Sequence, residues 1–166
     1  AKSLAAVLGA NRRQDGYFEG NGHLVSWCYG HLVELARPTA YGDQYKRWAY
    51  DTLPILPDKW QFAASKDKKK HLDTLRALMK RADVDSVINA CDAGREGELI
   101  FRLVYEYCGC KKPTQRLWIS SMEDAAIRAG FNRLKDGAEY DNLYHAALCR
   151  TQAEWVTGIN GTRLFS

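Results

Sequence analysis

The chain has 166 residues, 46% of them hydrophobic and 27% charged, a size and composition that allow one domain with its own core and exclude a disordered tail. Its formal charge of +4 gives only a weak lean towards a polyanionic partner. No run approaches the roughly 18 apolar residues of a membrane span, and no charged-then-apolar leader precedes a small-residue cleavage site. Five cysteines, Cys28, Cys91, Cys108, Cys110 and Cys149, form an odd set without CxxC spacing. Cys108 and Cys110 would need two further ligands to make a zinc site, so a reducing cytoplasm is the expected home.

The opening "AKSLAAVLGA" reads as a helix, with Leu4, Val7 and Leu8 at helical spacing. It looks like a helix entered from a strand upstream of Ala1. "GANRRQDG" reads as a breaker-rich loop, and "YFEGNGHLVSWCYGHLVEL" as two short strands joined at Glu19–Gly22. Residues 37 to 60, with all but one of the prolines, form an extended excursion carrying Tyr41, Tyr45 and Trp48. "QFAAS" is a strand. "KDKKKHLDTLRALMKR" is a helix with Leu72, Leu75 and Leu78–Met79 on one face and a solvated run of lysines, Lys66 and Lys68 to Lys70, on the other.

"VDSVINACD" is a β-branched strand that runs into a helix opened by Arg95, with Leu99, Ile100, Leu103, Val104 and Tyr107 as its buried face. "CGCKKPTQ" is a turn and "RLWIS" a strand. "SMEDAAIRAGFNRL" is a helix with Ser121 as N-cap and Asp124 at capping-box spacing. A last helix starts near Ala138 and reaches the vicinity of Trp155. Strands alternating with helices predict an α/β domain with a mainly parallel sheet and a ligand site at the carboxyl ends of its strands, where Asp92 lies.

That strand end carries the chemistry. In "NACDAGREGELIF" the carboxylates Asp92, Glu96 and Glu98 crowd beside Arg95, which costs stability unless positive charge offsets it. Magnesium takes oxygen ligands, typically one or two carboxylates plus waters, and Gly94 and Gly97 permit close backbone approach. A solvated acidic turn at a helix N-terminus is the alternative on local chemistry.

Four stretches in order carry a resemblance. "DAGREGELIF" resembles the acidic DxDREGE signature of the Toprim domain in type IA DNA topoisomerases. "WCYGHLVEL" with "YKRWAYDTLPILP" resembles the segment "GHL…Y…W…LPilP" of the bacterial topoisomerase III branch. "RLWISSMEDAAIRAGFNRL" and "LYHAALCRTQAEWVTGINGTRLFS" resemble later segments of the same family, so nearly the whole chain is covered. The resemblance implies a Rossmann-like Toprim α/β domain over residues 1–136, its first strand missing, and the start of a helical domain over 137–166. It implies an ATP-independent isomerase that relaxes or decatenates DNA: magnesium-dependent cleavage of one strand through a 5′-phosphotyrosine, strand passage and religation. Single-stranded DNA and the enzyme's remaining domains are the implied partners, and the bacterial cytoplasm, at the nucleoid, the implied location.

Carried over residue by residue, Asp92 and Glu96 match metal-binding acids, with Glu98 as a further carboxylate that is either a ligand or solvated. Arg95 matches the basic residue between them and His31 the histidine of "GHL", the two catalytic residues the resemblance implies, and Arg150 an arginine of the single-strand binding groove. Gly94 stands where the signature has its second Asp, which puts two-metal occupancy in doubt. The family's Toprim glutamate would fall before Ala1, and none of the nine tyrosines has the nucleophile's "YPRT" context, so these residues alone are expected to be inactive. A Toprim primase or nuclease, and a non-catalytic DNA-binding module, are the alternatives.

Overall fold

The computed structural model describes residues 1–165. Helix α1 (Lys2–Leu8) leads into a three-stranded antiparallel meander of β1 (Arg12–Gln14), β2 (Tyr17–Gly20) and β3 (His23–Val25). Asn21 and Gly22 close the β2–β3 hairpin with φ of 48° and 73°, the paired left-handed residues that a two-residue hairpin turn needs. Strand β4 (Val33–Leu35) pairs antiparallel with β5 (Phe62–Ala64), and the proline-rich residues between them wind through three short 3-10 turns. After α2 (Lys69–Lys80) come β6 (Val87–Asn89), α3 (Arg95–Tyr107) and β7 (Thr114–Arg116), a crossover unit in which β6 and β7 run parallel. The chain continues through α4 (Asp124–Phe131), β8 (Lys135–Asp136), antiparallel to β7, and the long α5 (Asp141–Leu164).

The α/β expectation is met by a mixed sheet, β6-β7-β8, flanked by helices. Two apolar clusters hold it. One gathers Leu32 and Val33, Leu72 and Leu75 of α2, Leu99, Leu103 and Val104 of α3, and Tyr144 and Ala147 of α5. The other joins Leu4 and Ala5 of α1 to Val25, Leu117 and Ile127. Burying one such leucine contributes about 1.5–3 kcal/mol. Strands β3 and β6 are edge strands in their sheets, and both border a cleft of about 970 Å³ that also touches Ala1 and Asp92.

Several elements differ from the sequence reading. "GANRRQDG" contains β1, because Arg12 to Gln14 find a ladder partner in β2. The strand expected at "RLWIS" is Thr114–Arg116 instead. Its partner β6 stops at Asn89, and the Leu117 N–H to the Asn89 carbonyl, at 2.9 Å, is the last rung. Ser121 is not an N-cap: its hydroxyl accepts from the Glu123 N–H at 3.2 Å, one turn short of the helix, and Glu123 takes the cap position. Tyr107 is exposed beneath the Arg76 guanidinium, while Phe101 is buried in its stead. Helix α5 runs nine residues past Trp155.

Candidate functional site

Between Asn89 and Arg95 the chain turns from β6 into α3 through an acidic loop. Gly97 is buried on the first turn of the helix, and a Cβ there would collide with the Asp92 carbonyl oxygen, so the loop lies flat on α3 only because position 97 is glycine. Asp92 and Glu96 are exposed on the outer side. The Glu96 carboxylate meets the His31 imidazole at Nε2. The Tyr29–His31 segment is pinned from below: Lys68 Nζ donates to the carbonyls of His31 (2.8 Å) and Tyr29 (3.1 Å), and Ser65 Oγ donates to His31 (3.1 Å). Lys68 was expected on a solvated face. Its place in the lysine run hides that it falls at the start of α2, beside the histidine loop.

A second cleft, of about 410 Å³, is lined by Asp92, Arg95, Glu96, Arg150, Thr151 and Glu154 among others. Arg150 Nε donates to Glu154 Oε1 at 2.7 Å. The Glu154 hydrogen bond and charge, with the Glu96 charge adding, hold the Arg150 guanidinium above its ordinary pKa. Asp92, Arg95, Glu96 and Arg150 therefore border one space, and His31 joins them through Glu96.

Glu98 does not. It is buried with 1% exposure and touches neither cleft. Oε1 accepts from Arg102 Nε at 3.0 Å, Oε2 accepts from Asn89 Nδ2 at 3.0 Å, and Arg116 Nε lies 3.1 Å away in an ion pair. The sequence held the signal: two residues along a helix turn Glu98 to the side opposite Glu96. Among the described residues no group of three or more His, Cys, Asp or Glu side chains is arranged to hold an ion. The donor set on offer is the carboxylate pair Asp92 and Glu96, hard oxygen ligands that fit magnesium, which keeps most of its waters.

Behind the loop, Cys28 and Cys91 share a hydrogen bond that, with burial, pushes the Cys28 thiol up. The "GIN" and "TR" residues of α5 act on the proline-rich segment. The Asn160 side chain accepts from the Ile55 N–H at 2.6 Å and donates to the Ile55 carbonyl at 3.0 Å, while Arg163 donates to the Tyr45 carbonyl and lies over Trp48. Two motifs that look separate in the sequence are thus one contact.

The family model described as "Toprim domain" matches residues 1–122, most of the chain and all of the acidic loop. The chain belongs to the Toprim domain family. Relatives named DNA topoisomerase 3 include those of Shouchella clausii (48% identical over 163 residues), Staphylococcus saprophyticus (46% over 162) and Bacillus subtilis (43% over 162). Each alignment takes in 98% of this chain, which spans about 22–23% of the length of these relatives. The Toprim match stops before α4, so Arg150 reaches the Toprim loop from outside the matched segment.

Proposed function

We propose that this Toprim domain supplies the divalent-metal site of a type IA DNA topoisomerase of the topoisomerase III kind. Supporting it most directly is the convergence of Asp92 and Glu96 with Arg95 and Arg150 on one cleft at the carboxyl end of β6. Divalent-metal binding goes with Toprim domains of topoisomerases, and the relatives' name fits a DNA partner. The ion we assign is magnesium, held by Asp92 and Glu96.

In the proposed reaction a tyrosine attacks a phosphodiester of single-stranded DNA. The P–O bond to the 3′-oxygen breaks, leaving a 5′-phosphotyrosine and a 3′-hydroxyl that reseals the strand by the reverse step. Bond energy is conserved in the phosphotyrosine, so the cycle needs no ATP. No tyrosine lines the cleft among the described residues, and we assign the nucleophile to the enzyme's other domains. Bound magnesium supplies neutralising charge at the phosphate. Arg95 and Arg150 hold phosphate oxygens by charge-assisted hydrogen bonds, Arg150 exchanging its Glu154 partner for DNA. His31 holds the Glu96 carboxylate in the orientation it keeps here. Helix α5 begins the neighbouring helical domain in this reading, and the working place is the bacterial nucleoid.

Gly94 favours a second reading, a DNA-binding module without metal, because it removes a carboxylate from the signature. One titration separates the two. Gly94 has extended backbone (φ 163°), and an added Cβ there meets nothing within 4 Å, so Gly94→Asp restores an acid without strain. Calorimetry with Mg²⁺ is expected to show weak binding by the natural protein, tighter binding by Gly94→Asp and none by Asp92→Asn. Equal affinity in all three proteins would overturn the assignment.

A further inference from the structure

Beyond the Asn89 carbonyl, which takes the Leu117 N–H, the acidic loop has no ladder partner, and its carbonyl groups must find donors elsewhere. Arg116, directly across from Asn89 in the β6–β7 register, supplies them. Its side chain is wholly buried. Nη1 donates to the carbonyls of Cys91 (2.6 Å), Asn89 (3.1 Å) and Leu117 (3.2 Å) and to Asn89 Oδ1 (3.1 Å). Nη2 donates to the carbonyl of Asp92 itself, at 2.7 Å. The mutually stacked Trp118 and Tyr140 rings lie 5.0 and 5.9 Å from the guanidinium.

We infer that Arg116 is the positioning residue of the acidic loop: one buried guanidinium fixes the backbone from Asn89 to Asp92, and so the place of the Asp92 carboxylate, while Glu98 serves as its counter-ion. The inference rests on the reading of Asp92 as a metal ligand only for its consequence in binding; the clamp itself is a matter of loop geometry. The charges around it balance. Glu98 is shared by Arg116 and Arg102, and Arg102 also reaches Asp141 at 2.7 Å, so two arginines face two carboxylates. A lysine would keep the charge but not the planar fork that reaches Cys91 and Asp92 at once. Glu98, the last acid of the signature, thus acts one step back from the Asp92 carboxylate, holding the arginine that holds the loop.

The test uses the 166-residue protein and Arg116→Lys, read by NMR relaxation and by Mn²⁺ titration in electron paramagnetic resonance. Order parameters of Cys91 to Gly94 should drop from about 0.85 towards 0.6, while Leu103 and Val104 in α3 keep theirs. Mn²⁺ affinity should fall about tenfold, the usual effect of losing a group that orients a ligand. Unchanged loop order and Mn²⁺ affinity overturn the inference, and so does loosening that extends equally to α3, which would make Arg116 a general core residue. Should the lysine variant fail to fold, the natural protein decides. Separate, slowly exchanging Arg116 Nη–H signals support the clamp; averaged signals sink it. Asp92→Asn is the control for the underlying reading. If that variant binds Mn²⁺ like the natural protein, the metal assignment fails, and the loop order in Arg116→Lys still decides the role of Arg116.

Discussion

Gly97 is where the site depends on the absence of a side chain. A methyl group there meets the Asp92 carbonyl, so Gly97→Ala must lift the loop off α3 even though alanine favours helix. The expected outcome is a loss of about 1–3 kcal/mol in urea denaturation, as for other overpacked sites, with weaker Mg²⁺ binding by calorimetry. A smaller effect sits at Asp83. The Arg81 hydrogen bond, followed by burial working the other way and by the Arg81 charge, leaves its carboxyl at about 2. The folded value lies below the unfolded value of about 3.9, so the contribution is present above pH 4 and is lost as pH falls towards 2. Thermal melts of Asp83→Asn should fall below those of the natural protein at pH 7, and the gap should close by pH 2. At this scale the sequence showed which acids are crowded, and its helical spacing turns Glu98 away from Glu96, but it did not show that the partner there is Arg116, 18 residues on. That pairing depends on which strand neighbours β6, and no local pattern encodes it.

Elements with a strong apolar period were legible. The face of α3 through Leu99, Leu103 and Val104 was read from spacing alone, because its burial follows the 3.6-residue repeat. Strand β7 was placed too late because Thr114 and Gln115 after Pro113 look like turn chemistry; their strand character comes from the pairing with β6. The end of α5 was read too early for a related reason. Gly158 and Gly161 weaken helix locally, yet the helix continues because Trp155 packs edge-on against Tyr41 and Trp60 and Asn160 clasps Ile55. Removing that clasp tests the account. Asn160→Ala leaves the N–H and carbonyl of a 1% exposed residue without their partner and should cost roughly 1–3 kcal/mol in denaturant unfolding. A change near zero would mean that the aromatic contacts alone carry the last turns of α5.

For the molecule as a whole, the order of motifs along the chain was enough to read the family, since four stretches in register constrain a fold more than any one of them. The contacts that make those stretches one site had to come from the structure: His31 on Glu96, and α5 across the second cleft from the acidic loop. Single-stranded DNA is expected to bind weakly and with steep salt dependence, because phosphate contacts release counterions. Arg150→Ala should lower both the affinity and the salt slope, the slope by about one phosphate contact, in fluorescence anisotropy. An unchanged slope would remove Arg150 from the groove.

The supply of Tyr144 and Ala147 by α5 to the cluster beneath α3 has a consequence for synthesis. On the ribosome the chain emerges from its amino end, so α3 is made well before the helix that covers it. Until Tyr144 and Ala147 have left the exit tunnel, the cluster around Leu99, Leu103 and Val104 lacks the cover that α5 supplies. The acidic loop is laid down before the packing that steadies its helix.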